Sequence, residues 1–155
     1  MDVMELTILD YKPEHQSWFE KFNRDWIEEF FTLEPLDIKV LKNPDQFILA
    51  TGGAIIMASV DREIAGTVGL RYLEPGVFEF TKMAVDKKFR GLKIGQALAD
   101  AAILKAKALG AAKIILYSNT RQVPAIALYR KLGFVEIHND GLYQRGNIKM
   151  ELAFI

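Results

Sequence analysis

The sequence predicts an α+β domain, built on a twisted mixed sheet of about six or seven strands with an antiparallel N-terminal meander and flanking helices. Three observations support this class. The 155 residues suit one domain, which we take as residues 1–155. Between residues 47 and 85, runs rich in β-branched and aromatic residues are separated by short turn sequences. After residue 94, helical patterns alternate with apolar strand patterns.

The N-terminal half begins with a short strand candidate, Glu5 to Leu9, and a helical pattern from Pro13 to about Phe31. Pro35 and Pro44 break the next segment into short, less regular pieces. The strand candidates that follow are "FILA", "AIIMASV", "EIAGTVGLRYL" and "VFEFTKMAV". Their short connections, such as Pro75-Gly76, predict an antiparallel meander.

The second half alternates helix and strand. A helix is predicted from Gly95 to Leu109, with Gly110 placed to end it. "KIILYS" is a continuous apolar strand, typical of burial on both faces. Pro124 suits the first turn of a second helix, which Gly133 ends. "FVEI" and "IKMELAFI" are the closing strands.

Composition excludes several classes of function. Lys+Arg and Asp+Glu are both 20, so charge predicts neither a nucleic-acid nor a membrane partner. There is no cysteine, and the two histidines are not clustered, so we expect neither a disulfide framework nor a metal site. The start "MDVMELTILDYK" is acidic where a signal peptide needs a basic region, and no apolar run reaches the ~18 residues of a membrane helix. We therefore expect a cytoplasmic location.

The segment "FRGLKIGQAL", which begins at Phe89, connects a strand to a helix. The first amides of such a helix have no intrahelical acceptor. Gly91 and Gly95 let a ligand approach the backbone closely. The helix dipole and a local excess of basic residues add positive potential. The junction is suited to a phosphate or pyrophosphate, and a tight turn with a solvated Arg90 is the alternative.

With its flanking segments, "KMAVDKKFRGLKIGQAL" resembles the GNAT superfamily of acyl-CoA-dependent N-acetyltransferases. That family carries Arg/Gln-x-x-Gly-x-Gly/Ala at this junction, and Arg90 and Gly95 match the first and last positions. Lys93 stands where the family usually has its middle glycine. A lysine amide can still donate there, provided that the backbone does not need the left-handed region. "PAIALYRKLGF" is similar to the second signature of the family, and "KMEL" to its final strand.

The resemblance implies acetyl-CoA as co-substrate and no metal. It implies that amides at the junction hold the pyrophosphate and that the backbone of Met83 to Val85 pairs with the pantetheine arm. Asn119 would reach the same arm, although an ordinary strand-ending asparagine is the alternative. The expected cofactor-binding residues are Met83, Ala84, Val85, Arg90, Gly91, Leu92, Lys93, Ile94, Gly95, Gln96 and Asn119.

Acetyl transfer requires that an ammonium lose its proton before attack and that the leaving thiolate gain one. By resemblance, Glu79 is the expected general base and Tyr129 the expected general acid. On an extended strand, Glu79 would share a face with Thr81, Met83 and Val85. A strand glutamate that pairs with a lysine, and a core tyrosine with a satisfied hydroxyl, are the alternatives.

The implied function is N-acetyl transfer to a primary amine of a small molecule or a protein, in a ternary complex. A non-catalytic acyl-CoA-binding module and an enzyme for another nucleotide-bearing ligand are alternatives. The region that borders the acceptor site in this family is acidic here, with nine acidic and three basic residues from Met1 to Pro35, which favours a cationic amine. Trp18, Phe22 and Trp26 of this region are expected mainly in the core. The acceptor, the acyl-chain preference and the oligomeric state, including a homodimer, stay open.

Overall fold

A computed structural model describes residues 4–154. The strands are β1 (Leu6–Asp10), β2 (Ala54–Val60), β3 (Glu63–Glu74), β4 (Val77–Val85), β5 (Lys113–Ser118), β6 (Val135–Ile137) and β7 (Ile148–Ala153). The helices are α1 (Gln16–Glu28), α2 (Pro35–Lys42), α3 (Ile94–Ala108) and α4 (Val123–Leu132). Short helical turns cover Pro13–His15, Asp45–Leu49 and Lys87–Phe89. No helix within residues 4–154 is both long and apolar enough to cross a membrane.

Within the described residues, the strands form one seven-stranded sheet of order β1-β2-β3-β4-β5-β7-β6. Strands β1 to β4 are an antiparallel meander, and β5 joins β4 in parallel. Strand β7 is antiparallel to both β5 and β6. The predicted α+β class, with its mixed sheet and N-terminal meander, is confirmed.

Helices cover both faces of the sheet. Alternating residues of β2 show this directly, because Ile56 packs in the cluster that holds α3 and α4, whereas Met57 packs in the cluster that holds α1 and α2. The first cluster also contains Phe80 of β4, and the second contains Phe19 of α1. The sheet is therefore the middle layer, between two layers of helices.

Two short segments differ from the sequence prediction. "FILA" is not a strand, since Asp45–Leu49 forms a single turn of π-helix that buries Ile48 completely. Pro35–Lys42 is a regular helix rather than an irregular piece. Its first turn is stabilised because the Glu34 amide donates to the Asp37 carboxylate at 2.9 Å. The proline at the first helical position and the aspartate two residues later are signals that could have predicted it.

Strand β4 contains a β-bulge. Gly69 pairs with Thr81, but Thr67 pairs with Ala84, so β4 has one residue more than β3 in this interval. The extra residue is accommodated at Lys82, whose φ of 56° lies in the left-handed region. One inserted residue reverses the alternation of side chains along the rest of the strand.

The bulge changes which side chains of β4 lie on the same face as Glu79. Met83 and Val85 pack against the same cluster as Phe80, on the face covered by α3. Glu79, the neighbour of Phe80 in the chain, lies on the opposite face. The prediction that Glu79 shares a face with Met83 and Val85 is therefore wrong.

Strands β4 and β5 diverge after a short parallel ladder. Their pairing runs from Val77–Lys113 to Glu79–Ile115. Beyond these residues the two strands separate and leave a gap between their carboxyl ends. Such a gap is where open α/β sheets bind ligands.

Candidate active site

A groove of about 650 Å³ lies where β4 passes into α3. This volume is in the range of small-molecule sites. Most of the expected cofactor-binding residues line it: Met83, Ala84, Val85, Arg90, Gly91, Lys93, Ile94, Gly95 and Gln96. Its other wall comes from the last turn of α1, the residues just after it and helix α4, including Trp26, Phe30 and Leu128. The structure thus brings these residues together around one cavity.

Two expected residues lie elsewhere. Leu92 is 43% exposed and does not line the groove, so a role for it would rest on its amide alone. Asn119 lines a neighbouring inner pocket, where its side chain donates to the Arg145 carbonyl at 2.7 Å. Its Oδ1 accepts from the Arg121 amide at 2.9 Å, so Asn119 shapes the loop after β5.

The backbone from Gly91 to Gln96 presents free donors to the groove. In residues 4–154, none of these amides donates a hydrogen bond to another backbone group. They precede the 15-residue helix α3, so the positive end of its dipole adds to them. Gly91 and Lys93 have φ of 85° and 61°, and left-handed residues in such a turn aim successive amides at one point. The backbone at Lys93 does need the left-handed region, contrary to the condition set for a lysine there.

Arg90 is held against helix α1. Its Nη1 donates to Glu29 at 3.0 Å, and its guanidinium lies 5.0 Å from the centroid of the Trp26 ring. Its Nε is buried and has no partner within the described part of the chain. An unsatisfied buried donor is costly, so this N–H beside the free amides indicates a missing acceptor.

The inner pocket continues the groove into the gap between β4 and β5. Trp26, Met83 and Gln122 line both cavities. The inner one has a volume of about 80 Å³ and is lined by both expected catalytic residues, Glu79 and Tyr129. A small reacting group that entered from the groove would therefore meet a carboxylate and a phenol.

The end of helix α4 positions Tyr129. Gly133 has φ of 103°, which lets the chain reverse so that the Phe134 amide donates to the Tyr129 carbonyl at 3.0 Å. The Tyr129 ring packs edge-on against Phe80 and Phe134. Its side chain has no hydrogen-bond partner among residues 4–154. Burial raises the pKa of Tyr129, so its hydroxyl keeps its proton at neutral pH.

Glu79 is 1% exposed and has charged and polar partners. Arg71 Nε and Nη2 lie 2.9 and 2.8 Å from Oε1. The Tyr143 hydroxyl donates to Oε2 at 3.2 Å. An arginine and a tyrosine therefore surround this carboxylate, and sequence reasoning missed both of them.

A buried ionic network lies behind Glu79. Asp37 is fully buried and accepts from Lys82 Nζ at 2.8 Å and from Arg145 Nη2 at 2.8 Å. Arg145 also pairs with Glu34 at 3.2 Å. Burial favours a higher pKa for Asp37, but Lys82 and the hydrogen bonds from Arg145 outweigh it and hold that pKa below its usual range. Burial lowers the pKa of Lys82, partly offset by Asp37.

Among the described residues, none of the acidic side chains of the N-terminal region lines the inner pocket. The side chains that α1 presents there are Asn23, Trp26 and Ile27, while Lys82 and Arg145 are the basic residues of its wall. Several acids of this region form salt bridges instead, among them Glu29 with Arg90. The wall of this pocket therefore does not carry the acidic bias of the N-terminal region, and the preference for a cationic amine stays a prediction. Phe22 is buried as expected, but Trp18 is 40% exposed.

Comparison with known proteins decides the family. The model of the Acetyltransferase (GNAT) family matches residues 13–134. The chain belongs to the GNAT family. The resemblance drawn from the two sequence signatures is confirmed.

Curated relatives of this GNAT chain match parts of it. Mycothiol acetyltransferase from Corynebacterium glutamicum is 30% identical over 83 residues, 54% of this chain and 28% of that protein. The chain thus covers less than a third of the length of that relative. IAA acetyltransferase from Azospirillum brasilense is 30% identical over 109 residues, 70% of this chain and 67% of that protein.

Solved structures match this GNAT chain over nearly its whole length. A GNAT acetyltransferase from Staphylococcus aureus Mu50 has a TM-score of 0.85 and 25% identity, covering 96% of this chain and 99% of that one. PaiA N-acetyltransferase from Thermoplasma acidophilum, solved in complex with coenzyme A, has a TM-score of 0.75 and 17% identity, covering 97% and 99%. The second likeness concerns the fold alone.

Proposed function

We propose that this protein is an acetyl-CoA-dependent N-acetyltransferase that acetylates a primary amine by direct attack in a ternary complex. The observation that carries the proposal concerns residues 4–154, among which the amides from Gly91 to Gln96 and the adjacent Nε of Arg90 have no hydrogen-bond acceptor. These donors stand at the mouth of a groove that leads to Glu79 and Tyr129.

The donors fit a pyrophosphate. Charge-assisted bonds from amides at a helix start are a common way to hold phosphate oxygens. The space above Gly95 is open, because a Cβ there would meet nothing closer than the Met83 Cε at 4.0 Å. Coenzyme A held at this place would run its pantetheine arm along Met83 to Val85, into the gap beside β4. When bound, acetyl-CoA supplies an acetyl group activated as a thioester.

Glu79 and Tyr129 of the inner pocket each carry out one proton transfer. Glu79 accepts a proton from the acceptor ammonium, directly or through a water, so that the nitrogen can attack. Tyr129 donates its proton to the departing thiolate. Burial raises the pKa of this hydroxyl, so Tyr129 still holds its proton when the thiolate forms. Positioning of both substrates in the narrow gap adds to the rate.

The acceptor is an amine of a small molecule or of a protein. The small volume of the inner pocket, about 80 Å³, supports an amine on a slender arm. Relatives named for mycothiol and IAA support a small-molecule acceptor. A cytoplasmic location and a homodimer stay predictions.

Gly95→Val tests the cofactor site. A branched side chain above the free amides would keep phosphate oxygens from them, so we expect the Kd for coenzyme A to rise about tenfold or more. Isothermal titration calorimetry measures the change. Ala108→Val, at the exposed far end of α3, is the matched control and should leave the Kd unchanged.

Release of free thiol from acetyl-CoA with a panel of amines tests turnover. Amine-dependent release is expected, whereas coenzyme A binding without release would favour a non-catalytic acyl-CoA-binding module. Thermal stabilisation by NADH or ATP but not by coenzyme A would refute the proposal in favour of another nucleotide ligand.

A further inference from the structure

The loop between β6 and β7 places Tyr143 directly against the expected base. This residue is 6% exposed, and its hydroxyl is 3.2 Å from Glu79 Oε2. It is far from Glu79 in the chain and belongs to neither family signature. Its position therefore raises the question of what it does to the carboxylate.

The hydrogen bonds of Glu79 distinguish its two oxygens. A carboxylate oxygen has two lone-pair sites. Oε1 accepts a hydrogen bond from Arg71 Nε at 2.9 Å and lies 2.8 Å from Nη2 in the same ion pair. Among the described residues, Oε2 accepts one hydrogen bond, from the neutral Tyr143 hydroxyl, and keeps a site for a further donor. Oε2 lies outside the arginine ion pair, so it is the oxygen better placed to take a proton from an acceptor amine or from a water.

The loop holds Tyr143 in place from several sides. Its ring packs edge-on against Tyr117, with centroids 5.5 Å apart. Lys82 Nζ and the Arg145 guanidinium lie 5.2 and 4.8 Å from the ring centroid. The loop itself is tied to the start of α2, because the Gln144 and Arg145 amides donate to the Glu34 carboxylate at 3.0 and 3.1 Å. The hydroxyl is thus aimed before any substrate arrives.

We propose that Tyr143 is a positioning residue, which orients Glu79 Oε2 so that its free lone pair faces the acceptor amine. This rests on the proposed function, in which Glu79 is the general base. In the step, an N–H bond of the ammonium breaks and an O–H bond forms at Oε2, directly or through one water. The amine becomes neutral, the carboxyl becomes neutral, and Tyr143 keeps its own proton.

Other charged or titratable groups surround Glu79 or share its pocket. They are Arg71 of β3, Lys82 of β4, Tyr117 of β5, Tyr129 of α4, Asp37 of α2 and Arg145 of the loop. Burial raises the pKa of Tyr143, so its hydroxyl keeps its proton and stays a donor at neutral pH. Tyr143→Phe removes this one donor and leaves the other groups in place.

The test is the carboxyl ¹³C NMR resonance of Glu79 at neutral pH, assigned with Glu79→Gln. Tyr143→Phe should move this resonance, since the carboxylate loses the hydrogen bond to Oε2. Tyr117→Phe is the matched control, because its hydroxyl bonds Asp140 rather than Glu79, and it should leave the resonance in place. If Tyr143→Phe does not fold, 3-fluorotyrosine at position 143, a stronger donor, should move the resonance in the opposite direction to the loss of the bond.

Kinetics complete the test. In Tyr143→Phe, the acidic limb of the pH profile of kcat/KM should change, whereas Tyr117→Phe should leave that limb in place. An unmoved Glu79 resonance, or an equal change in Tyr117→Phe, would overturn the role of Tyr143 while amine-dependent thiol release left the proposed function intact. Absence of thiol release by the unmodified protein across the amine panel would instead remove the proposed function, and the role of Tyr143 with it.

Discussion

At the scale of single residues, the inner pocket combines two titratable groups in contrasting environments. Among residues 4–154, Tyr129 sits between aromatic rings with no hydrogen-bond partner for its hydroxyl, whereas Glu79 is bound by Arg71 and Tyr143. The proposed mechanism gives these two groups different roles, the phenol as acid and the carboxylate as base. The positions of Glu79 and Tyr129 follow from sequence signatures, but their neighbours do not.

Tyr129→Phe removes the hydroxyl of Tyr129 and keeps its ring. The ring contacts with Phe80 and Phe134 remain, so we expect the fold and the affinity for coenzyme A to persist. Turnover should fall by about 10-fold to 10³-fold, because the leaving thiolate loses its proton donor. Steady-state thiol release and calorimetry measure the two effects. Unchanged turnover would return Tyr129 to a purely structural role.

At the scale of elements, the start of α3 requires a left-handed backbone conformation that a lysine disfavours. Lys93 adopts φ of 61° and ψ of 25°, a region that costs a non-glycine residue about 1–2 kcal/mol. Its side chain is exposed, so little packing offsets the cost. The turn that exposes the amides is therefore imposed by the strand before it and the helix after it.

Lys93→Gly should stabilise the protein by about 0.5–1 kcal/mol, since relief of the left-handed strain exceeds the entropy that glycine adds to the unfolded chain. Urea unfolding measures the change. Lys87→Gly is the control, because Lys87 is also exposed but has a negative φ, and it should destabilise the protein. A loss of stability in Lys93→Gly would mean that the Lys93 side chain makes a stabilising contact.

At the scale of the whole molecule, one buried carboxylate links three distant segments. Asp37 of α2 binds Lys82 at the β4 bulge and Arg145 of the β6–β7 loop. The same loop carries Tyr143 to Glu79. The geometry of the site therefore depends on contacts between residues far apart in the chain.

Asp37→Asn should destabilise the protein by about 3–5 kcal/mol, because Lys82 loses its carboxylate while it remains buried. Lys82→Met should cost less, since Asp37 keeps Arg145. The pKa of Asp37 is lowered in the folded state. Its contribution to the free energy of unfolding is therefore present above the unfolded pKa of about 3.9 and is lost as pH falls through the folded pKa. Urea unfolding between pH 7 and pH 3 should show that Asp37→Asn loses less of its unfolding free energy on acidification. An unaltered pH dependence would contradict this role.

The register around Glu79 shows why part of the site was beyond sequence reasoning. A regular hairpin around Pro75-Gly76 would place Tyr72 opposite Glu79. The irregularity between Tyr72 and Glu74 shifts the pairing by one and places Arg71 there. No local pattern marks such a shift, because it depends on how the two strands pack within the sheet.

The amino-acid sequence by itself determined the family, the order of the elements from β2 onward and the donor-rich start of α3. These follow from local signals: side-chain periodicity, turn residues and two short signatures. The tertiary structure decided which groups surround Glu79, where the acidic residues of the N-terminal region point and that Lys93 must be left-handed. The physical reason is that bulges, strand divergence and buried ion pairs arise only when distant segments pack together.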